Sequence, residues 1–95
     1  MNYELLDRKG PLGHWRAAMW DLPVGGTAST MRRVMINVTR KVWWDLAERH
    51  AFYIESPLMV VMNDQELVKW GTDLVTEEIN KRERDERVAE VLMED

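Results

Sequence analysis

Residues 33–54 read RVMINVTRKVWWDLAERHAFYI, and the way this stretch divides decides the fold. From Arg33 to Val38 apolar and polar positions alternate, with Val34, Ile36 and Val38 on one side and Arg33, Met35 and Asn37 on the other. That period of two predicts a half-buried strand. Thr39 can then cap a helix, because Val42, Trp43, Leu46, Ala47, His50, Tyr53 and Ile54 follow at helical spacing. The predicted helix spans 40–53, and its apolar face takes in Trp43 while sparing Trp44.

Downstream, Ser56-Pro57 breaks the pattern, and LMVVM at 58–62 is a short apolar run of a length that suits a second buried strand. Asn63 and Glu66 have the spacing of a capping box. They open a helix whose apolar face is Leu67, Val68, Trp70, Gly71, Leu74, Val75 and Ile79. NKRERDER at 80–87 has no apolar side chain, yet Glu77/Lys81, Glu78/Arg82 and Glu83/Arg87 are spaced to support a helix through solvent. This charged stalk carries Val88, Val91 and Leu92 on one face. Upstream, Leu12, Trp15, Met19 and Leu22 predict a short helix ending before Pro23, with Trp20 off its stripe. VGGTAST at 24–30 reads as a linker.

The expected fold is therefore a small α+β domain spanning 1–95. One or two short strands, at 33–38 and 58–62, pack on two main helices at 40–53 and 64–92. An N-terminal arm occupies 1–30, a core 31–79 and a charged helical extension 80–95.

Composition narrows the function. The 95 residues are 45% hydrophobic and contain no cysteine, which suits one compact domain in a reducing interior and removes thiolate chemistry and cysteine-type zinc sites. No run approaches a membrane span, and Glu4, Asp7, Arg8, Lys9 and Arg16 interrupt any signal-peptide core, so the cytoplasm is the expected compartment. The net charge of -4 hides a division: residues 1–63 carry eight Lys/Arg against six Asp/Glu, and residues 64–95 carry five against eleven. His14 and His50 belong to no metal-binding spacing, and His50 reads as a core histidine. Ser29 and Ser56 lie outside any strained nucleophile turn, and Gly25-Gly26 lacks the lysine of a phosphate loop. The expectation is a non-enzymatic protein with no cofactor and no metal.

Five tryptophans in so short a chain exceed what its core can hide, and tryptophan is enriched where binding energy concentrates. Trp43 and Trp70 are assigned to the core. Trp20 and Trp44 are the expected partner contacts, supported by Trp15, Arg16, Val88, Val91 and Leu92. The apolar tip asks for a partner too, and packing on a sister subunit would make a homodimer. By profile the chain is similar to phage-encoded inhibitors or modulators that dock on a larger host protein, such as a nuclease or another nucleic-acid enzyme. The second reading is direct DNA binding. VMINVTRKVWWDLAERH resembles the opening of ribbon-helix-helix repressors, which implies a dimeric DNA-binding regulator with Arg32, Arg33, Asn37, Arg40 and Lys41 on nucleic acid.

Overall fold

The computed structural model describes residues 2–22, 31–42 and 45–93. Four strands follow one another along the chain: β1 (Asn2–Gly10), β2 (Gly13–Leu22), β3 (Arg32–Val42) and β4 (Asp45–Ser56). Each is antiparallel to its neighbour, giving one sheet in the order β1-β2-β3-β4. A 3₁₀ turn (Pro57–Val61) then leads into a single long helix, α1 (Asp64–Met93), which packs on one face of the sheet, chiefly over β1 and β2.

This corrects the expected balance of one or two strands and two helices. The segment expected as a short helix at 12–22 is β2, and the helix expected at 40–53 is the end of β3 and most of β4. The strand expected at 58–62 is the 3₁₀ turn, begun by Pro57 and capped by the Ser56 hydroxyl, which accepts from the Leu58 amide at 3.2 Å. The strand expected at 33–38 is present and longer. Both misread segments hold candidate core residues four apart, such as Trp15/Met19 and Leu46/His50/Ile54. A spacing of four is one helical turn and also two strand periods, so it satisfies either geometry. In β2 the true alternation is Trp15, Ala17 and Met19 inward, with Arg16, Ala18 and Trp20 outward.

Two local devices shape the sheet. Gly13 closes the β1–β2 turn at φ +129°, and a Cβ there would stand 2.8 Å from the Lys41 carbonyl oxygen, so only glycine fits. In β1 the register shifts between Glu4 and Leu6, opposite Ala18 and Ala17. The bulge lets Leu5 and Leu6 both pack toward the core, and the Thr72 hydroxyl donates to the Leu5 carbonyl at 3.0 Å.

Helix α1 starts where the capping box places it: the Glu66 amide donates to Asn63 Oδ1 at 2.9 Å, and the Asn63 amide to Glu66 Oε1 at 3.3 Å. Gly71 packs tightly on the Leu5 side chain, since a Cβ there would meet both Leu5 methyls at 3.1 Å. The core is one layer thick. Trp15, Met19, Val34, Ile36 and Met59 face Leu67, Val75 and Ile79, all fully or almost fully buried.

Toward the C-terminal half of α1 the same layer turns ionic. Arg8 reaches Asn80 at 3.0 Å and Glu83 at 2.7 Å. Arg40 lies over the Trp15 ring at 4.8 Å and binds Glu48 and both oxygens of Glu86. Arg82 reaches Glu48 at 3.2 Å and His50 at 2.8 Å. At the opposite end Arg32 grips Asp21 through two bonds, at 2.9 and 2.7 Å, and donates to the carbonyls of Met59 and Met62, clamping the 3₁₀ turn to the sheet. No helix is long and apolar enough to cross a membrane among the described residues.

Candidate functional site: the open face of the sheet

Because α1 takes one face, the other is covered by none of the described elements. Register assigns its side chains, since residues directly paired across antiparallel strands point the same way. One row is Trp20–Met35–Tyr53, on three neighbouring strands. Trp20 and Met35 are half-buried and Tyr53 is 65% exposed. With strands about 4.8 Å apart, the two rings sit roughly 10 Å from each other with the methionine between them. The next row is Glu4–Ala18–Asn37–Ala51, and beyond it lies Asp7–Arg16–Thr39–Arg49. Lys9, His14 and Lys41 follow, and Arg33 pairs with Glu55 at the other end.

The face leans basic in an acidic protein. Among the described residues Arg16 makes only long ion pairs, 3.8 Å to Glu4 and 3.8 Å to Asp7, while Lys9, Lys41 and Arg49 form none. His14 Nε2 lies 2.5 Å from Asp7 Oδ1, and this hydrogen bond holds the Asp7 carboxyl below its ordinary range. A depression of about 360 Å³ opens between the rows, bordered by Asn2, Glu4, Arg16, Ala18, Asn37 and Thr39. Asn37 Oδ1 is itself closed to solvent and has no hydrogen-bond partner among the described residues.

The open face gathers residues that the sequence assigned to rival readings. Trp20 and Arg16, expected on a protein partner, lie there beside Arg33, Asn37 and Lys41, expected on nucleic acid. The others are elsewhere. Trp15 is fully buried, so it is a core residue and not a contact. Arg40 is buried in the ionic layer, and Arg32 clamps the 3₁₀ turn. Trp44, like Trp43, lies outside the described residues, as does the linker at 24–30. Trp70 packs against the core as expected. Ala18, Ala51 and Tyr53 were missed, and Met35 was placed on the outward side of its strand but given no role. The signal that could have found Ala51 and Tyr53 is the strand period in AFYIE, which sends Ala51, Tyr53 and Glu55 to one side.

Two other surfaces stand apart. Val88, Val91 and Leu92 are 51, 69 and 75% exposed on the end of α1. Beside β4, a cavity of about 270 Å³ is walled by Val38, Phe52, Leu74 and Ile79, with His50 and Arg82 at its rim. Burial, followed by the charge of Arg82, pushes the His50 pKa down. No group of three or more potential metal ligands occurs among the described residues.

The ribbon-helix-helix arrangement is overturned by topology. Its strand must pair with that of a second copy, but β3 is an interior strand with β2 on one side and β4 on the other, and the helix expected after it is a strand. Comparison with protein-family models, with curated proteins and with solved structures finds no match for this chain.

Proposed function

We propose that this chain is a non-enzymatic binding protein that docks on a larger protein through the open face of its sheet. The observation that carries this reading is the Trp20–Met35–Tyr53 row, an apolar strip on a face that no described element covers, bordered by charged residues. Interfaces have this anatomy: a few aromatic anchors in the middle and a polar rim that excludes water. The basic lean of the rim favours an acidic surface on the partner and speeds encounter with it. The small acidic profile supports a modulator of the phage type acting on a host nucleic-acid enzyme.

The test is capture from a nuclease-treated bacterial lysate with wild type and a Trp20→Ala/Tyr53→Ala variant. Wild type should recover one large protein stoichiometrically. The variant should lose it while its circular dichroism and melting stay close to wild type. Retention by the variant would contradict the reading.

Lys9, Lys41 and Arg49, which pair with no described residue, favour a second reading, in which the same face binds single-stranded nucleic acid by stacking bases on Trp20 and Tyr53. Its signature is affinity for a labelled oligonucleotide that falls steeply as salt rises. Absence of such binding removes it.

A further inference from the structure

The sheet has two edges, and they are built differently. Along β1 the register shift between Glu4 and Leu6 breaks the outer line of the strand, and the Leu5 carbonyl is already taken by the Thr72 hydroxyl of α1. A bulge of this kind spoils an edge as a template for another strand. On β4 the irregularity lies near the start, where Arg40/Glu48 gives way to Lys41/Leu46, and residues 48–56 then pair with β3 without a break. No proline or lysine falls in this run, and no described element pairs with its outer side. Every second residue along it turns an amide and a carbonyl outward.

From this we infer that β4 pairs with β4 of a second copy, antiparallel about a two-fold axis through Phe52. Directly paired residues point the same way, so such an axis must pass through a residue and not between two. Centring it on Phe52 sets Arg49 opposite Glu55 of the second copy, and Glu55 opposite Arg49 of the second copy. No other centre does so. Centring on Ala51 or Tyr53 sets Arg49 against Tyr53 or Pro57, and centring on Arg49 or Glu55 sets like charges together. Both groups are free to meet: Arg49 is exposed and forms no ion pair with a described residue, and the Glu55 side chain is 39% exposed beside Arg33 on the same face. Between the two ion pairs Ala51 meets Tyr53 and Phe52 meets its own copy, so apolar side chains fill the middle of the contact.

The axis stands perpendicular to the sheet, which brings the two open faces to the same side of one continuous sheet. The Trp20–Met35–Tyr53 row then runs on into Ala51 of the second copy. Phe52 and Ile54 are half-buried on the other face, where α1 lies chiefly over β1 and β2, and each gains a cross-strand neighbour. Association stops at two copies, since the bulged β1 edge offers no template at the far ends. The pairing stands whatever the open face binds, and it does not use the exposed tip of α1.

Sedimentation velocity at low salt should show a species of twice the 11.2 kDa chain mass, in exchange with monomer between about 1 μM and 1 mM. Arg49→Glu and Glu55→Arg each set like charges against one another at both ends of the contact, and each should raise the dissociation constant at least about tenfold. An equimolar mixture of the two variants restores opposite charges at both ends and should dimerise as tightly as wild type. Val91→Asp/Leu92→Asp, at the tip of α1, should leave the dimer unchanged. Circular dichroism establishes that the variants are folded. If one is not, hydrogen exchange of the wild type reads the same edge, with amides in 48–56 slowed at high protein concentration and not at low. A wild type that stays monomeric throughout this range, reversed variants that dimerise as well as wild type, a mixture of folded variants no tighter than either alone, exchange at 48–56 that ignores concentration, or a dimer lost with Val91→Asp/Leu92→Asp would overturn the inference.

Discussion

Arg40 shows how a residue suggested for one task can be consumed by another. Its letters and its neighbours, Thr39 and Lys41, gave it the look of a surface cation, yet the strand period turns it inward, over the Trp15 ring and against Glu48 and Glu86. Removing it takes the cation from the partly exposed Glu86 and leaves Glu48 with Arg82 and His50. Arg40→Ala should therefore destabilise the fold by about 1–3 kcal/mol, read from urea unfolding. A loss under about 1 kcal/mol would mean that the pair behaves as a surface bridge. The same layer sets a pH dependence. Burial and Arg82 hold His50 below the ordinary histidine pKa of 6.5, so the unfolded chain takes up a proton more readily than the folded one. The His50 contribution is complete above that ordinary value and is lost as pH falls through the lowered one. Stability should drop on acidification across this window, and His50→Gln should flatten the drop. An equal drop in both proteins would place the titrating group elsewhere.

At the scale of elements, α1 was legible and, of the sheet, only β3. A capping box is a local device: Asn63 and Glu66 satisfy each other's amides wherever the rest of the chain goes, so the letters alone located the start of the helix. Asn63→Ala should cost about 1 kcal/mol, seen as a lower melting temperature with an unchanged native spectrum. No change would mean that the helix end is held by Tyr3, whose hydroxyl donates to Asp64 at 3.0 Å. Strands lack such self-contained signals. Their pairing partners lie far along the chain, and in β2 and β4 the apolar residues four apart fitted a helix as well as a strand. The bulge at Leu5 was unreadable in principle from β1 alone, because only pairing with Ala17 and Ala18 defines it. What separated the cases was composition: Phe52, Tyr53 and Ile54 in β4 are the aromatic and β-branched types that strands favour.

Taken whole, the described residues place a single helix on one side of a four-stranded sheet, and none of the described elements covers the other side. The charge division seen along the sequence becomes a division in space, with Lys9, Arg16, Lys41 and Arg49 on the open face and most of the acidic residues on α1. Candidate residues that looked like competitors, Trp20 and Arg16 against Arg33, Asn37 and Lys41, turn out to be neighbours. Only the register could reveal that. The exposed tip at Val88, Val91 and Leu92 is the rival surface, and it is far enough along α1 to be told apart. Hydroxyl-radical footprinting of the captured complex compares the two directly, since tryptophan, methionine, tyrosine and leucine side chains all report solvent access. Docking through the sheet requires Trp20, Met35 and Tyr53 to be protected in the complex while Leu92 stays as reactive as in the free protein. Protection of Val88, Val91 and Leu92 with an unchanged open face would contradict it.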